Sequence, residues 1–317
     1  MKQIRAIDLF CGAGGSSWGA SSAGVEVVAG FDLWPVAKSV YSDNFPDAKF
    51  YCENIESLDP SNIKKELGDI DLILASPECT NHSVAKGNKP RCEKSRSTAL
   101  QVLRFAKTFE PRWIIVENVV GMKSWARYET FINDIEKLGY HTRTQTLNSA
   151  DFGVPQARRR LFIMFDREMI PNPVSKPCRK RKTAKEIIDG NGTYRYSMLR
   201  TEKRAKATLE RAYRAVAEIG NKTPFILVYY GSDAAGGWQR LDVPLRTITT
   251  LDRFAYVKPN GSGHVMRMLQ PPELKKAMGW PKKYKIIHGT RRDKIKMIGN
   301  AVSPPVMKYV VKKLIKG

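Results

Sequence analysis

Acidic residues are scarce in this chain: 31 Asp and Glu stand against 54 Lys and Arg, a formal charge of +23 over 317 residues. A balance so lopsided argues against an ordinary small-molecule enzyme and for a polyanionic partner. Long apolar runs are missing too. Nowhere do 18 consecutive apolar residues occur, and the opening MKQIRAIDLF has too short an apolar run for a signal peptide. A soluble cytoplasmic protein is expected, with nucleic acid rather than a membrane as its partner. Cysteine is sparse as well. Cys11, Cys52, Cys79, Cys92 and Cys178 are odd in number, widely spread and without a C-x-x-C pair. Neither a disulfide framework nor a zinc site is therefore expected, and no metal. No internal repeat or low-complexity segment is present.

Short apolar runs alternate with helix-like segments. Strands are expected at Ile4 to Leu9, Val25 to Gly30, Ile70 to Ala75, Trp113 to Val116 and Leu161 to Phe165; helices at Pro35 to Asn44, Ser95 to Phe109 and Trp125 to Leu138. Ser95 and Ser97 suit N-caps and Gly139 a helix stop. The alternation reads as βαβ units and a parallel sheet, an α/β fold. From about Asp166 the pattern becomes more basic and irregular, with a charged helix in RTEKRAKATLERAYRAVAEIG and short strands joined by glycine turns after it. Residues 293–317 end in an amphipathic helix with Val306, Tyr309, Val310 and Leu314 on one side. The expected organisation is a cofactor-binding catalytic domain of residues 1–165 plus 293–317, and a smaller domain of residues 166–292.

Ligands in an open parallel sheet bind beyond the carboxyl ends of the strands. Several chemically informative pieces leave strands there. The first strand opens into Asp8-Leu9-Phe10-Cys11-Gly12-Ala13-Gly14-Gly15, whose glycines permit close approach of backbone to a nucleotide-like ligand. Asp32 ends the second strand 20 residues after Gly12, where an acid would meet ribose hydroxyls. That pairing suits NAD and S-adenosylmethionine equally. Cys79 follows DLILA and Glu117 follows RWIIV, so a thiol and a carboxyl emerge beside the glycine turn. Carbon 5 of cytosine is a poor nucleophile until a thiolate adds to carbon 6, and a carboxyl hydrogen-bonded to ring N3 then serves as the electron sink. Arg158, Arg159 and Arg160 precede another strand. Alternation sends Arg158 and Arg160 to one face and Arg159 to the other, supplying positive charge for a thiolate, a pyrimidine O2 or a phosphate.

These residues resemble the DNA cytosine-5 methyltransferases over nearly the whole chain. DLFCGAGG is similar to the family's cofactor motif, PEC to its nucleophile motif, ENV to its cytosine-binding glutamate motif, QARRR to its Gln-x-Arg-x-Arg motif and GNAVSPPV to its final motif, all in the family's order. The resemblance implies a Rossmann-like S-adenosylmethionine-dependent sheet with a target-recognition domain. It implies methyl transfer to carbon 5 of a flipped-out cytosine in double-stranded DNA, through a covalent Cys79 adduct, with S-adenosylhomocysteine as product. Cys79, Glu117, Arg158 and Arg160 would be catalytic, Arg158 in support. Phe10, Gly12, Gly14, Gly15, Asp32, Leu33, Asn54, Ile55, Pro77, Asn300 and Ala301 would bind the cofactor. Monomeric action and a cognate restriction endonuclease belong to the same implication. So does closure over DNA by the segment after Cys79, which carries Lys86, Lys89, Arg91, Lys94 and Arg96 with a hinge at Gly87. The short insert before PLRTITTLDRFAYV, similar to the family's ninth motif, implies a short target sequence.

Three positions depart from the family pattern. Glu78 precedes the nucleophile where the family usually has Pro-Pro-Cys or Phe-Pro-Cys, and extended backbone would turn it away from Cys79. Asn54 replaces an aspartate, its amide oxygen still able to accept from an adenine amino group. Leu33 replaces the ring that covers the adenine, leaving Phe10 or Trp34 to stack. Rival readings account for less. A tRNA cytosine-5 methyltransferase shares the fold, but the separate recognition segment favours DNA. A catalytically inactive DNA-binding relative would not need Cys79, Glu117 and Arg160 together. A NAD-dependent oxidoreductase leaves PEC and ENV unexplained, and acyl transfer by Cys79 and His82 lacks a third group.

Overall fold

The computed structural model describes residues 3–77, 98–177, 180–230, 236–261 and 263–316. Segment 78–97 lies outside them, and with it Glu78, Cys79, the expected closing loop and the expected caps Ser95 and Ser97. A seven-stranded sheet forms from β1 (Arg5–Leu9), β2 (Glu26–Phe31), β3 (Lys49–Tyr51), β4 (Leu72–Ala75), β5 (Trp113–Asn118), β6 (His141–Asn148) and β7 (Arg159–Asp166), in the order β3-β2-β1-β4-β5-β7-β6. Along each central strand alternate side chains enter opposite cores, as the pleat requires. Ile7, Ile73, Ile114 and Ile163 face one layer, while Ala6, Leu72, Ile115 and Phe162 face the other.

The first layer contains α3 (Pro60–Leu67), α4 (Thr98–Phe109) and α5 (Tyr128–Glu136), which contribute Ile63, Phe105 and Phe131. On the opposite face α1 (Gly15–Ser21) lies against the C-terminal helix, Pro304–Ile315. A Cβ on Gly15 would stand 2.2 Å from the Val302 carbonyl oxygen, and one on Gly19 2.6 Å from Met307 Cβ. Only glycine permits this approach. Val306, Val310 and Leu314 are buried beneath that last helix as its apolar spacing predicts, and Tyr309 is half-buried.

The sheet is not wholly parallel. β7 runs antiparallel to both β5 and β6. The connection from β6 to β7 spans only residues 149–158, too short for the crossover that a parallel neighbour needs. This reversal carries the start of β7 to the rim where β5 ends. β3 and β6 were not legible in the sequence. β3 has three residues, and β6, HTRTQTLN, is a polar edge strand without an apolar run.

Residues 166–292 contain a second sheet, β10-β9-β11-β12-β8, built from β8 (Ser197–Met198), β9 (Phe225–Val228), β10 (Trp238–Arg240), β11 (Phe254–Asn260) and β12 (Gly263–Met268). Helix α6 (Lys206–Ile219) covers one face through Ala212 and Ala215. The other face joins a core shared with α2 (Pro35–Asn44), α7 (Pro271–Ala277) and α8 (Arg291–Asn300), where Ile226 and Val228 meet Leu274, Ile295 and Tyr41. The final helix, α9 (Pro304–Ile315), follows α8 back to the large sheet. Among the described residues no helix is long and apolar enough to cross a membrane.

Candidate active site

Glu117 leaves β5 at the rim with a side chain 7% exposed, and Arg160 Nε lies 3.3 Å from its Oε1. Burial pushes the Glu117 carboxyl above the usual carboxylate range, while Arg160 and, less strongly, Arg158 oppose that rise. The result is a buried acid whose protonated form is favoured more than usual, beside a fixed cation. A cavity of about 10 Å³ lined by Glu117, Ser149, Arg158, Arg160 and Ser303 holds at most about one water. A heterocycle must therefore meet Glu117 from the open rim.

The three arginines take separate tasks, on the faces that their alternation predicts. Arg159 is exposed. Arg158 is buried, donating from Nη1 to the Ile248 carbonyl at 3.0 Å and from Nη2 to those of Gly299 and Ala301 at 2.8 and 3.2 Å. Its guanidinium thus fastens the start of β7 to the segment between β10 and β11 and to the turn after α8. Gln156 strengthens the same junction by accepting from the Ile248 N–H at 3.0 Å.

Cys79 lies outside the described residues, but the chain leading to it does not. Asn118 Nδ2 donates to the Pro77 carbonyl at 3.2 Å, tying the exit of β4 to the exit of β5. Asn118 was not singled out by its chemistry in the sequence. The signal available was its place directly after Glu117, where a short amide can bridge strand ends.

The glycine turn lies along the same rim. Phe10 has φ 60°, Gly12 49° and Gly14 73°, a left-handed run that turns the chain sharply between β1 and α1. Gly12 has open space where a Cβ would stand, its nearest neighbour being Asp32 Oδ2 at 4.0 Å. The contacts of Gly14 and Gly15 are with the fold behind them: the added Cβ would strike Phe45 and Val302. Asp32 accepts from the N–H of Gly12 and of Trp34, each at 2.9 Å, and each oxygen keeps a further lone pair for a hydroxyl. Burial raises its pKa, against the two N–H donors and Lys296.

The remaining expected cofactor residues differ in character. Leu33 is 64% exposed and Ile55 is buried. Asn54 is exposed, its Oδ1 accepting from the Glu56 N–H at 3.1 Å. Asn300 is exposed and Ala301 buried at the end of α8. Trp34 is half-buried, with Lys296 Nζ 4.6 Å from its ring centroid. An open glycine, an acid with spare lone pairs and an exposed apolar side chain together fit a nucleoside cofactor such as S-adenosylmethionine.

The C-5 cytosine-specific DNA methylase family model matches residues 4–316. The chain belongs to this family. It is 25% identical over 318 residues to the Type II methyltransferase M.HaeII of Haemophilus aegyptius, covering 99% of this chain and 94% of the relative. It is 34% identical over 169 residues to the Type II methyltransferase M.DdeI of Desulfomicrobium norvegicum, covering 51% of this chain and 40% of that one. Against some curated relatives, then, the match spans less than half of the relative's length. Among solved structures, Entamoeba histolytica methyltransferase EhMeth superposes with a TM-score of 0.73 at 18% identity, covering 100% of this chain and 99% of that one. Spodoptera frugiperda DNMT2 gives 0.72 at 19%, covering 99% and 100%. At such identities these two show a shared fold.

Sequence reasoning missed one further group in this family member. Asp8 is fully buried, its Oδ2 accepting from Ser17 N–H at 3.0 Å and Ser17 Oγ at 2.6 Å, while Ser17 Oγ also lies 2.8 Å from Tyr41 Oη. Burial raises the Asp8 pKa to about 7. The signal available was an acid inside an otherwise apolar strand, which implies a polar partner.

Proposed function

We propose that this protein transfers a methyl group from S-adenosylmethionine to carbon 5 of a cytosine flipped out of double-stranded DNA. The observation that carries this reading is the buried Glu117 carboxyl, raised in pKa and held 3.3 Å from Arg160 beside the chain that leads to Cys79. Phe10, Gly12, Asp32, Leu33, Asn54, Ile55 and the turn at Asn300 and Ala301 would hold the cofactor, with Gly14, Gly15 and Pro77 shaping its loops. When bound it supplies an electrophilic methyl on a sulfonium.

The chain's own groups do the rest. A thiolate at Cys79 would add to carbon 6, and Glu117 in its protonated form would hydrogen-bond N3 and accept the electron density this pushes into the ring; the enamine so formed makes carbon 5 nucleophilic and able to take the methyl. Loss of the carbon 5 proton then expels the Cys79 sulfur. Arg160 orients Glu117 and would meet the pyrimidine O2, and Arg158 holds the strand that carries it. Base eversion costs a few kcal/mol, offset by pocket and phosphate contacts. Monomeric action and a restriction-modification setting complete the reading, the latter supported by the Type II names of the relatives.

Duplex DNA carrying 5-fluorocytosine tests the chemistry, because fluorine cannot leave as a proton does. With S-adenosylmethionine present, a denaturation-resistant adduct should map to Cys79 and be lost in Cys79→Ala. An adduct that persists in that variant refutes the nucleophile assignment, and methyl transfer to tRNA but not to duplex refutes the substrate.

A further inference from the structure

Between Lys275 and Asn300 the chain carries nine Lys and Arg against a single Asp. Seven of these basic side chains are exposed, among them Lys282, Lys283, Lys285, Arg292 and Lys296. The backbone that presents them is pinned rather than loose. Asn44 accepts from the Lys285 N–H at 2.9 Å and donates to its carbonyl at 2.8 Å. Lys275 Nζ donates to the carbonyls of Lys282 and Tyr284 at 3.1 and 2.7 Å, and the Tyr284 hydroxyl donates to the Ala13 carbonyl. The two acids beside the strip are engaged: Asp43 meets His288 Nε2 at 2.9 Å, and Asp293 caps its own helix through Thr290.

The strip follows the outer flank of α2. At the rim end Lys296 covers Trp34; farther along, Lys283 lies 5.4 Å from the centroid of Trp18, and Lys285 meets the last residue of α2. From Pro35 to Asn44 the helix rises about 13 Å, so the strip runs about that far along α2. A rigid array of like charges that outnumbers its acidic neighbours, themselves engaged by His288 and Thr290, is what a phosphate backbone recognises.

We infer that this strip is a second DNA-contact surface, binding phosphates of duplex outside the target site and adding affinity without entering the chemistry. The inference rests on the proposed DNA substrate. An anionic membrane is disfavoured because Ile287 is the large apolar side chain exposed within the segment, and one such residue gives no amphipathic face to insert.

The test compares wild type with the triple variant Lys282→Ser, Lys283→Ser, Lys285→Ser. Two target-containing duplexes are used, one just filling the catalytic cleft and one extended by two helical turns on each side. The variant should methylate the short duplex at the wild-type rate. It should bind the long one about tenfold more weakly at roughly 0.1 M salt, with the slope of log K against log salt reduced by about 2 to 3. The corresponding triple arginine variant should bind as wild type does. Equal affinity and equal slope in the serine variant overturn the inference, as does intact DNA binding combined with lost binding to anionic phosphatidylserine vesicles. Wild type that methylates neither duplex removes the proposed activity instead, and the length-dependent binding still judges the strip.

Discussion

Glu117 is useful because it is uncomfortable. Burial raises the pKa of this carboxyl and the neighbouring Arg160 opposes the rise only in part, which makes its proton easier to hold than that of an ordinary carboxyl. Glu117→Gln keeps the shape and a hydrogen-bond donor but removes the proton. Methyl transfer should fall by about 10² to 10⁴-fold, with DNA affinity within a few-fold, as measured by single-turnover kinetics and equilibrium binding. A variant with near-normal turnover would show that the acid is dispensable. Asp8 makes a second prediction at this scale. Its folded pKa of about 7 exceeds the ordinary value of 3.8, so the folded state binds the extra proton and loses stability as pH rises from about 4 to 7, then levels off. Asp8→Asn mimics the neutral form. Melting temperatures measured from pH 5 to 8 should fall in the wild type and stay flatter in the variant; parallel curves would show that Asp8 does not titrate in that window.

At the scale of elements, glycines decide how closely helices and loops can meet. The 2.2 Å that a Gly15 Cβ would leave to the Val302 carbonyl involves backbone on both sides, so neither can yield cheaply. Gly15→Ala should cost about 1–3 kcal/mol, read from denaturant unfolding. Gly24→Ala is the control, because Gly24 has φ 96° and nothing within 4 Å of an added Cβ; its cost is backbone strain alone, about 1 kcal/mol. Equal losses in the two variants would refute the close-approach account. The same scale shows what the sequence could reveal. β1, β2, β4, β5 and α2 were legible because apolar runs and a proline at the helix start are local signals. β3 and β6 were not, since a three-residue strand and a polar edge strand have neither a run nor a buried face. The antiparallel course of β7 was also hidden, although the ten residues before it are too few for a crossover.

Across the whole molecule, the side chains proposed for catalysis stand out by their order along the chain and the glycine turn by its spacing, but the groups that support them do not. Arg158 reads in sequence as one of three equivalent cations, yet it binds carbonyls 90, 141 and 143 residues away. No local pattern encodes such partners. The charge of +23 is likewise visible as a total, while its alignment along α2 depends on the docking of residues 281–290 against Asn44. That docking shares a core with the second sheet through Tyr41, Tyr284 and Ile226, so the basic strip and the junction held by Arg158 rest on one continuous apolar body.

The reversed strand makes the guanidinium-acid partnership resilient to slippage. Since neighbouring side chains on β7 alternate in direction, a shift of one position against β5 would turn Arg160 outward, and the middle member of the triplet, Arg159, would swing in toward Glu117. A misaligned copy would keep its ion pair yet forfeit the anchor on Ile248 and Gly299, ending with a cation in place and nothing to hold it still.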